Sequence, residues 1–235
     1  MIKIMHADAL DLLRSLPSDS VDAIITDPPY GVNYVHNPRT GSAGFDDDSF
    51  SVECLARSVC PEIMRVLRPG GVVYMYVGQA CPVWDYWLMR SGLRIVNRLA
   101  LRAFSAPASD GVYMYSAQLM VYACKGSPRF VMPVRDWKAP DMESFNSVLT
   151  PNLRRSPGDN EHPCAKNPAT LMHFMRMSVP RGGLVVDPFA GGGSTALAAS
   201  RCGMRFVGSE NNRDYFDMLC RKYPDWCSDV LSPCV

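Results

Sequence analysis

The sequence predicts an α/β protein with one doubly wound, mostly parallel sheet and helices on both faces. Three observations predict it. Short apolar runs at 21–26, 72–77, 183–187 and 205–210 alternate with segments of helical periodicity. The run at 183–187 leads through Pro188-Phe189-Ala190-Gly191-Gly192-Gly193-Ser194-Thr195 into an Ala-rich helix, the strand, glycine turn and helix order of a nucleotide-binding crossover. The run at 21–26 ends in Asp27-Pro28-Pro29-Tyr30, past the carboxyl end of a strand, where open α/β sheets hold their ligands.

Composition sets the bounds. At 235 residues the chain is long enough for one domain with a buried core, and 47% hydrophobic is ordinary for a soluble globule. No apolar run is long enough to span a bilayer and no signal-peptide pattern occurs, so a soluble cytoplasmic protein is expected. Nine cysteines without a C-x-x-C pair, and four scattered histidines, argue against zinc and against a disulfide framework. Reduced, mostly buried thiols and no metal site are expected. A net charge of +1 carries no nucleic-acid signature by itself, so any basic face must come from local clustering.

Residues 1–5 open the chain as a short strand. Asp8-Ala9 follows, with Leu10, Leu12, Leu13 and Leu16 at helical spacing, so Asp8 stands where an N-cap is expected. After the strand at 21–26, two prolines fix φ and remove two backbone donors. A carboxylate beside a rigid carbonyl is then a two-acceptor fork, matched to an –NH₂ group with its two donors. Tyr30 adds a flat face on which a base can stack, an interaction worth roughly 1–3 kcal/mol. The plainer reading is a turn with a packing tyrosine.

Residues 31–49, with Gly41, Gly44 and Asp46-Asp47-Asp48, have the composition of a mobile loop beside the site, its acids facing solvent or capping the next helix. Helical periodicity over 50–67 stops at Arg68-Pro69-Gly70-Gly71. The strand 72–77 and a helix over 82–89 come next. Arg90, Arg94, Arg98 and Arg102 recur every four residues in a context that favours a strand; they read as a solvated face or as a cationic strip. Residues 113–124 read as its antiparallel partner.

From 125 to 161 the pattern dissolves among prolines, and through Asp159 six basic residues oppose four acids. A helix over 169–177 precedes the glycine-rich crossover. Glu210 closes the strand at 205–210 about 20 residues beyond the first glycine, where dinucleotide folds place a ribose-binding acid. The glycines do not match G-x-G-x-x-G and no Walker loop occurs, which disfavours dinucleotides and nucleoside triphosphates. Asn211, Asn212 and Tyr215 begin a last helix ending near Tyr223, with an appendage to Val235.

Together, Asp27-Pro28-Pro29-Tyr30 and Asp187-Pro188-Phe189-Ala190-Gly191-Gly192-Gly193 resemble the catalytic and cofactor motifs of amino-methylating DNA methyltransferases that use S-adenosylmethionine. Catalytic motif first is the circularly permuted order of their β group. The resemblance runs from residue 2 to about 223 and makes 1–235 a single methyltransferase domain. It implies a class I methyltransferase fold of seven strands in the order 3-2-1-4-5-7-6, entered at the third strand and including an antiparallel hairpin.

The resemblance also assigns roles. Asp27, Pro28, Pro29 and Tyr30 would be catalytic. S-adenosylmethionine would be held by Asp8, Ala9, Lys166, Asp187, Pro188, Phe189, Ala190, Gly191, Gly193, Ser194, Thr195, Glu210 and Asn211, with Asp8 on the adenine amine. Lys166 closes His162-Pro163-Cys164-Ala165-Lys166, which resembles the family's H-P-x-x-K-P segment, except that Asn167 replaces the last proline and Pro168 comes one residue late. Duplex DNA is the implied partner. Residues 125–161 would form an unusually short target-recognition insertion, with Arg102, Arg129, Arg135, Lys138, Arg154 and Arg155 as candidate nucleic-acid contacts. A homodimer and a companion restriction endonuclease fit the same picture.

The implied reaction is methyl transfer to the exocyclic amine of a flipped adenine, because D-P-P-Y is more typical of adenine and S-P-P-Y of cytosine-amine methylation. Cytosine-N4 methylation, RNA amine methylation and a non-catalytic cofactor- or DNA-binding subunit are the alternatives. Nothing points to a cysteine nucleophile, since Cys60-Pro61 and Cys81-Pro82 reverse the Pro-Cys order of enzymes that attack the cytosine ring.

Overall fold

A computed structural model describes residues 1–31, 48–79, 81–102, 117–128, 130–131, 148–149 and 166–228. In chain order the elements are β1 (Ile2–His6), α1 (Ala9–Ser15), β2 (Val21–Thr26), α2 (Ser49–Val66), β3 (Leu67–Val77), α3 (Val83–Arg90), β4 (Arg94–Arg102) and β5 (Ala117–Cys124). Then come β6 (Val148–Leu149), α4 (Pro168–Ser178), β7 (Leu184–Asp187), α5 (Ser194–Arg201), β8 (Arg205–Glu210), α6 (Arg213–Lys222) and β9 (Cys227–Ser228).

The strands form one sheet in the order β6-β4-β5-β3-β2-β7-β8-β1-β9. Only β5 runs against its neighbours, antiparallel to both β3 and β4. The middle seven strands have the order the family resemblance implies. The sheet is wider than predicted, because two-residue strands extend each edge, β6 on β4 and β9 on β1. The segment beyond α6 is therefore not a mere appendage. A 3₁₀ turn at Pro224–Trp226 stacks Trp226 on Tyr223, at 4.1 Å between ring centroids, and delivers β9 to the sheet.

Alternation along the strands sorts side chains onto two faces. Ile4, Ala23, Ile25, Val72 and Tyr74 pack with Phe174 of α4, Ala198 of α5 and Phe216 of α6. Met5, Ile24, Val73 and Met75 pack with Leu12 of α1, Ile63 of α2 and Trp84 of α3. Each fully buried Leu, Ile or Phe contributes roughly 1.5–3 kcal/mol. The helices of the first half of the chain thus cover one face and those of the second half the other. No helix among the described residues is long and apolar enough to cross a membrane.

Side-chain caps set several helix starts. Asp8 accepts from Leu10 N at 2.7 Å, Asn167 from Ala169 N at 2.9 Å, and Asn212 from both Asp214 N and Tyr215 N. Of the acidic run at 46–48, Asp48 caps α2 through Phe50 N and Ser51 N, both at 3.0 Å; residues 32–47 lie outside the described residues. Strand β3 begins immediately after α2. Leu67 already pairs with Val21, and the Arg68–Gly71 segment bulges out before pairing resumes at Val72 opposite Ala23.

A buried acid in the middle of the sheet ties it together. Asp22 accepts from Leu184 N at 2.7 Å and pairs with Arg68 at 2.6 Å, linking β2 to β7 and to the β3 bulge. Of the described cysteines, Cys60 and Cys124 are buried, Cys54 is exposed and four are half-buried, so the expectation of mostly buried thiols is too strong.

Candidate active site

Strands β2 and β7 are neighbours, with Ala23 opposite Val185 and Ile24 opposite Val186. Their carboxyl ends therefore put Asp27 and Asp187, far apart in sequence, side by side. Thr26 joins them: its hydroxyl donates to Asp187 Oδ1 at 2.6 Å. This is where strand order reverses sense across the sheet, the place where open α/β folds bind ligands.

Asp27 has a donor on each oxygen. The Tyr30 hydroxyl donates to Oδ1, and the Lys166 ammonium lies 2.5 Å from Oδ2. Each carboxylate oxygen has a second lone pair, so the fork keeps acceptor capacity for an incoming amine. Tyr30 packs against Gly78, where a Cβ would come within 3.1 Å of the tyrosine Cβ. The two proline carbonyls differ. Pro29 O accepts from Trp84 Nε1 at 2.7 Å, whereas no donor among the described residues reaches Pro28 O.

Beneath the fork lies Tyr76, whose ring carries the Lys166 ammonium 4.7 Å from its centroid. Burial, reinforced by the Asp27 carboxylate, holds the Tyr76 phenol well above its usual range, so it stays protonated.

The cofactor-motif residues form one connected loop. Asp187 is buried and turned inward. Its Oδ1 accepts from Thr26 and from Phe189 N at 3.1 Å. Burial pushes its carboxyl up to about 6, against the pull of those donors. Ser209 donates to Pro188 O at 2.9 Å, and Ala190 N donates to Ser209 O at 2.8 Å. Gly191 and Gly193 have φ of 49° and 77°, left-handed values that favour glycine. Ser194 and Thr195 start α5 beyond them, and Phe189 meets Trp84 edge-on.

Glu210 faces this loop. Its Oε2 accepts from Gly191 N at 2.9 Å and its Oε1 from Asn212 N at 2.8 Å. Burial raises its pKa, and its backbone donors oppose the rise. A carboxylate on a loop amide occupies what a phosphate cradle would offer to a diphosphate. The remaining lone pairs suit ribose hydroxyls, and this chemistry fits a nucleoside without phosphates. Strand β1 ends beside Glu210, with His6 opposite it in register, so Asp8 and Ala9 leave the sheet at the same edge. His6 Nε2 lies 3.1 Å from Asn211 O and fixes the turn there.

The arginine strip is corrected. A bulge between Ile95 and Asn97 breaks its alternation. Arg94 pairs in register with Cys124, on the α4–α6 face, whereas Arg98 pairs with Val121, on the α1–α3 face. Arg98 is held by Asp85 at 2.6 Å, and Arg94 reaches Gly126 O at 3.2 Å. Arg102 is exposed at the carboxyl end of β4, three strands from β2 and roughly 14 Å away at ordinary strand spacing. Arg129, Arg135, Lys138, Arg154, Arg155 and His162 lie outside the described residues. The sequence alone does not single out Thr26, Tyr76, Trp84 or Gly78. They lack a motif, and only their adjacency to the two motifs in the sheet reveals them.

A sheet of this order, with a glycine-rich loop beside the acceptor fork, is a class I methyltransferase fold. The family model described as DNA methylase, N6/N4 type, matches residues 21–221, and the chain belongs to that family. Its methyl donor is S-adenosylmethionine. The type II methyltransferase M.HpaI of Haemophilus parainfluenzae is 24% identical over 236 residues, covering 92% of this chain and 72% of that protein. The M1.HpyAVI–SAM complex superposes with a TM-score of 0.66 at 21% identity, covering 94% of this chain and 100% of that one. The PvuII DNA methyltransferase, described as cytosine-N4-specific, gives 0.71 at 15% identity, covering 97% and 95%.

Proposed function

We propose that this chain is a β-group, D-P-P-Y enzyme that methylates the exocyclic amine of adenine flipped out of duplex DNA. The observation that carries this reading is the Thr26–Asp187 bond, which sets the acceptor fork beside the nucleoside loop. S-adenosylmethionine supplies a methyl group on a sulfonium, ready for attack by a nitrogen lone pair.

The residues do the rest by position. Asp27 and the Pro28 carbonyl accept the two amine hydrogens and aim the nitrogen lone pair away from the fork. The Trp84 bond to Pro29 O holds the turn. Tyr30 gives the extruded base a stacking surface. In-line alignment of this kind is worth roughly 7–11 kcal/mol where it is complete. Asp8, Glu210 and the 187–195 loop hold the nucleoside. The amine proton released after transfer leaves through Asp27 or solvent, and no covalent enzyme intermediate is required.

Cytosine-N4 is the second reading, favoured by the likeness to the PvuII enzyme, since both amines present the same two donors to the fork. The test is incubation of the pure protein with S-adenosylmethionine and unmethylated duplex DNA, followed by mass spectrometry of the nucleosides. N6-methyladenine supports the first reading and N4-methylcytosine replaces it with the second. Methylation of RNA alone, or of neither, with cofactor binding intact, overturns both.

A further inference from the structure

We propose that Lys166 is a positioning residue for the catalytic carboxylate of Asp27 and not a ligand of the cofactor, an inference that rests on the amine-methylation reading above. The geometry is specific. The ammonium lies 2.5 Å from Asp27 Oδ2, while Tyr30 takes Oδ1, so the carboxylate is fixed at both ends. Two donors on different oxygens set its plane, which one donor alone would leave free to rotate.

The lysine is itself well fixed. Its side chain is 13% exposed, against 22% for Asp27. Its ammonium sits over the ring of the buried Tyr76, whose π-face attracts the charge and whose bulk blocks retreat. Its backbone directly precedes the Asn167 cap and Pro168, the first residue of α4, so the chain there has little freedom.

The placement has a chemical consequence. Asp27 must accept hydrogen bonds from a neutral amine while a second carboxyl, that of Asp187, lies buried at the end of the neighbouring strand. A fixed cation beside Asp27 offsets that accumulation of negative charge in a site of low dielectric. It also leaves one lone pair on each Asp27 oxygen directed away from the protein donors, for the substrate amine.

The test separates this role from cofactor binding. K166M should lower kcat for DNA methylation by about 100-fold, the scale of a misplaced catalytic group, while the Kd for S-adenosylmethionine by calorimetry stays within about twofold. K166R, which keeps the charge and the donors, should recover at least about a tenth of wild-type kcat. A Kd that weakens in step with kcat/KM at unchanged kcat makes Lys166 a cofactor ligand and overturns the proposal. Unchanged kcat and Kd in K166M overturn it too.

If K166M fails to fold, NMR of the full chain labelled with ¹⁵N-lysine decides without turnover. The Nζ signal assigned by its absence in K166R should persist in the wild type and be lost in D27N. Its survival in D27N overturns the pairing. Failure of the wild type to methylate DNA would instead sink the functional reading, and the NMR result would still stand or fall by itself.

Discussion

At the residue scale, the two aspartates at the strand ends are set to different tasks by their partners. Asp27 keeps acceptor lone pairs beyond its two donors, whereas Asp187 directs its carboxylate into Thr26 and the Phe189 amide. Asp27→Ala should therefore lower methyl transfer by at least about 100- to 1000-fold and leave S-adenosylmethionine affinity nearly unchanged, read by tritium transfer and calorimetry. Parallel loss of both would make Asp27 structural. Asp187 is expected to show itself in stability. Its carboxyl, raised to about 6 by burial, binds a proton in the folded state that an ordinary carboxyl has lost above pH 4. The folded state thus holds more protons than the unfolded one between about pH 4 and 6, and this group's contribution to stability falls as pH rises through that window. Asp187→Asn removes the titration. The stability difference, variant minus wild type, should grow with pH over this window by on the order of 2–3 kcal/mol, measured by urea unfolding. A pH-independent difference would refute the assignment.

At the scale of elements, α3 is the part whose role composition conceals. It looks like an ordinary amphipathic helix, yet its buried Trp84 holds the Pro29 carbonyl and meets Phe189, touching both motifs. Trp84→Phe keeps an aromatic ring but loses the donor and part of the buried indole volume, leaving a carbonyl unsatisfied. We expect a loss of about 1–3 kcal/mol in stability, with kcat lowered about tenfold or more as the turn loosens. An unchanged kcat would show that Pro29 needs no anchor. The glycine turn before α5 is constrained differently. Gly193 has φ 77°, and a Cβ there would come within 2.7 Å of Leu219 Cδ2 on α6. Gly193→Ala should cost about 1–3 kcal/mol by chemical denaturation. Elements such as α2, β3, α5 and β8 were legible because clean periodicity or a motif marks them. The β4 bulge was not, because the four-residue arginine spacing looks the same with or without an inserted residue. Strands β6 and β9 are two residues each, too short to carry any period.

At the scale of the whole molecule, the side of the site proposed to hold the cofactor is assembled from both ends of the chain. Strands β1 and β8 pair from Ile2 with Phe206 to His6 with Glu210, and Ala7 N donates to Glu210 O at 3.3 Å. No local pattern pairs Asp8 with Glu210. The strand order implied by the family resemblance did, and the topology agrees with it. The sequence places Glu210 at the end of its strand, but it does not show that the carboxylate accepts from Gly191 N, because that bond joins residues 19 apart through the fold. Asp8 shows the remaining ambiguity in physical form: its Oδ1 caps α1 through Leu10 N, and its second oxygen is the one available to an adenine amine. Hydrogen exchange can read both roles together. Addition of S-adenosylmethionine should slow exchange in three segments distant in sequence, 8–12, 189–195 and 208–212, while β4 and β5 stay unchanged. The effect at 8–12 is the informative one, because the cap bond already protects Leu10 and further slowing requires a ligand bearing on that turn. Protection confined to 189–212 would remove Asp8 and Ala9 from the cofactor set and leave Asp8 as a cap alone.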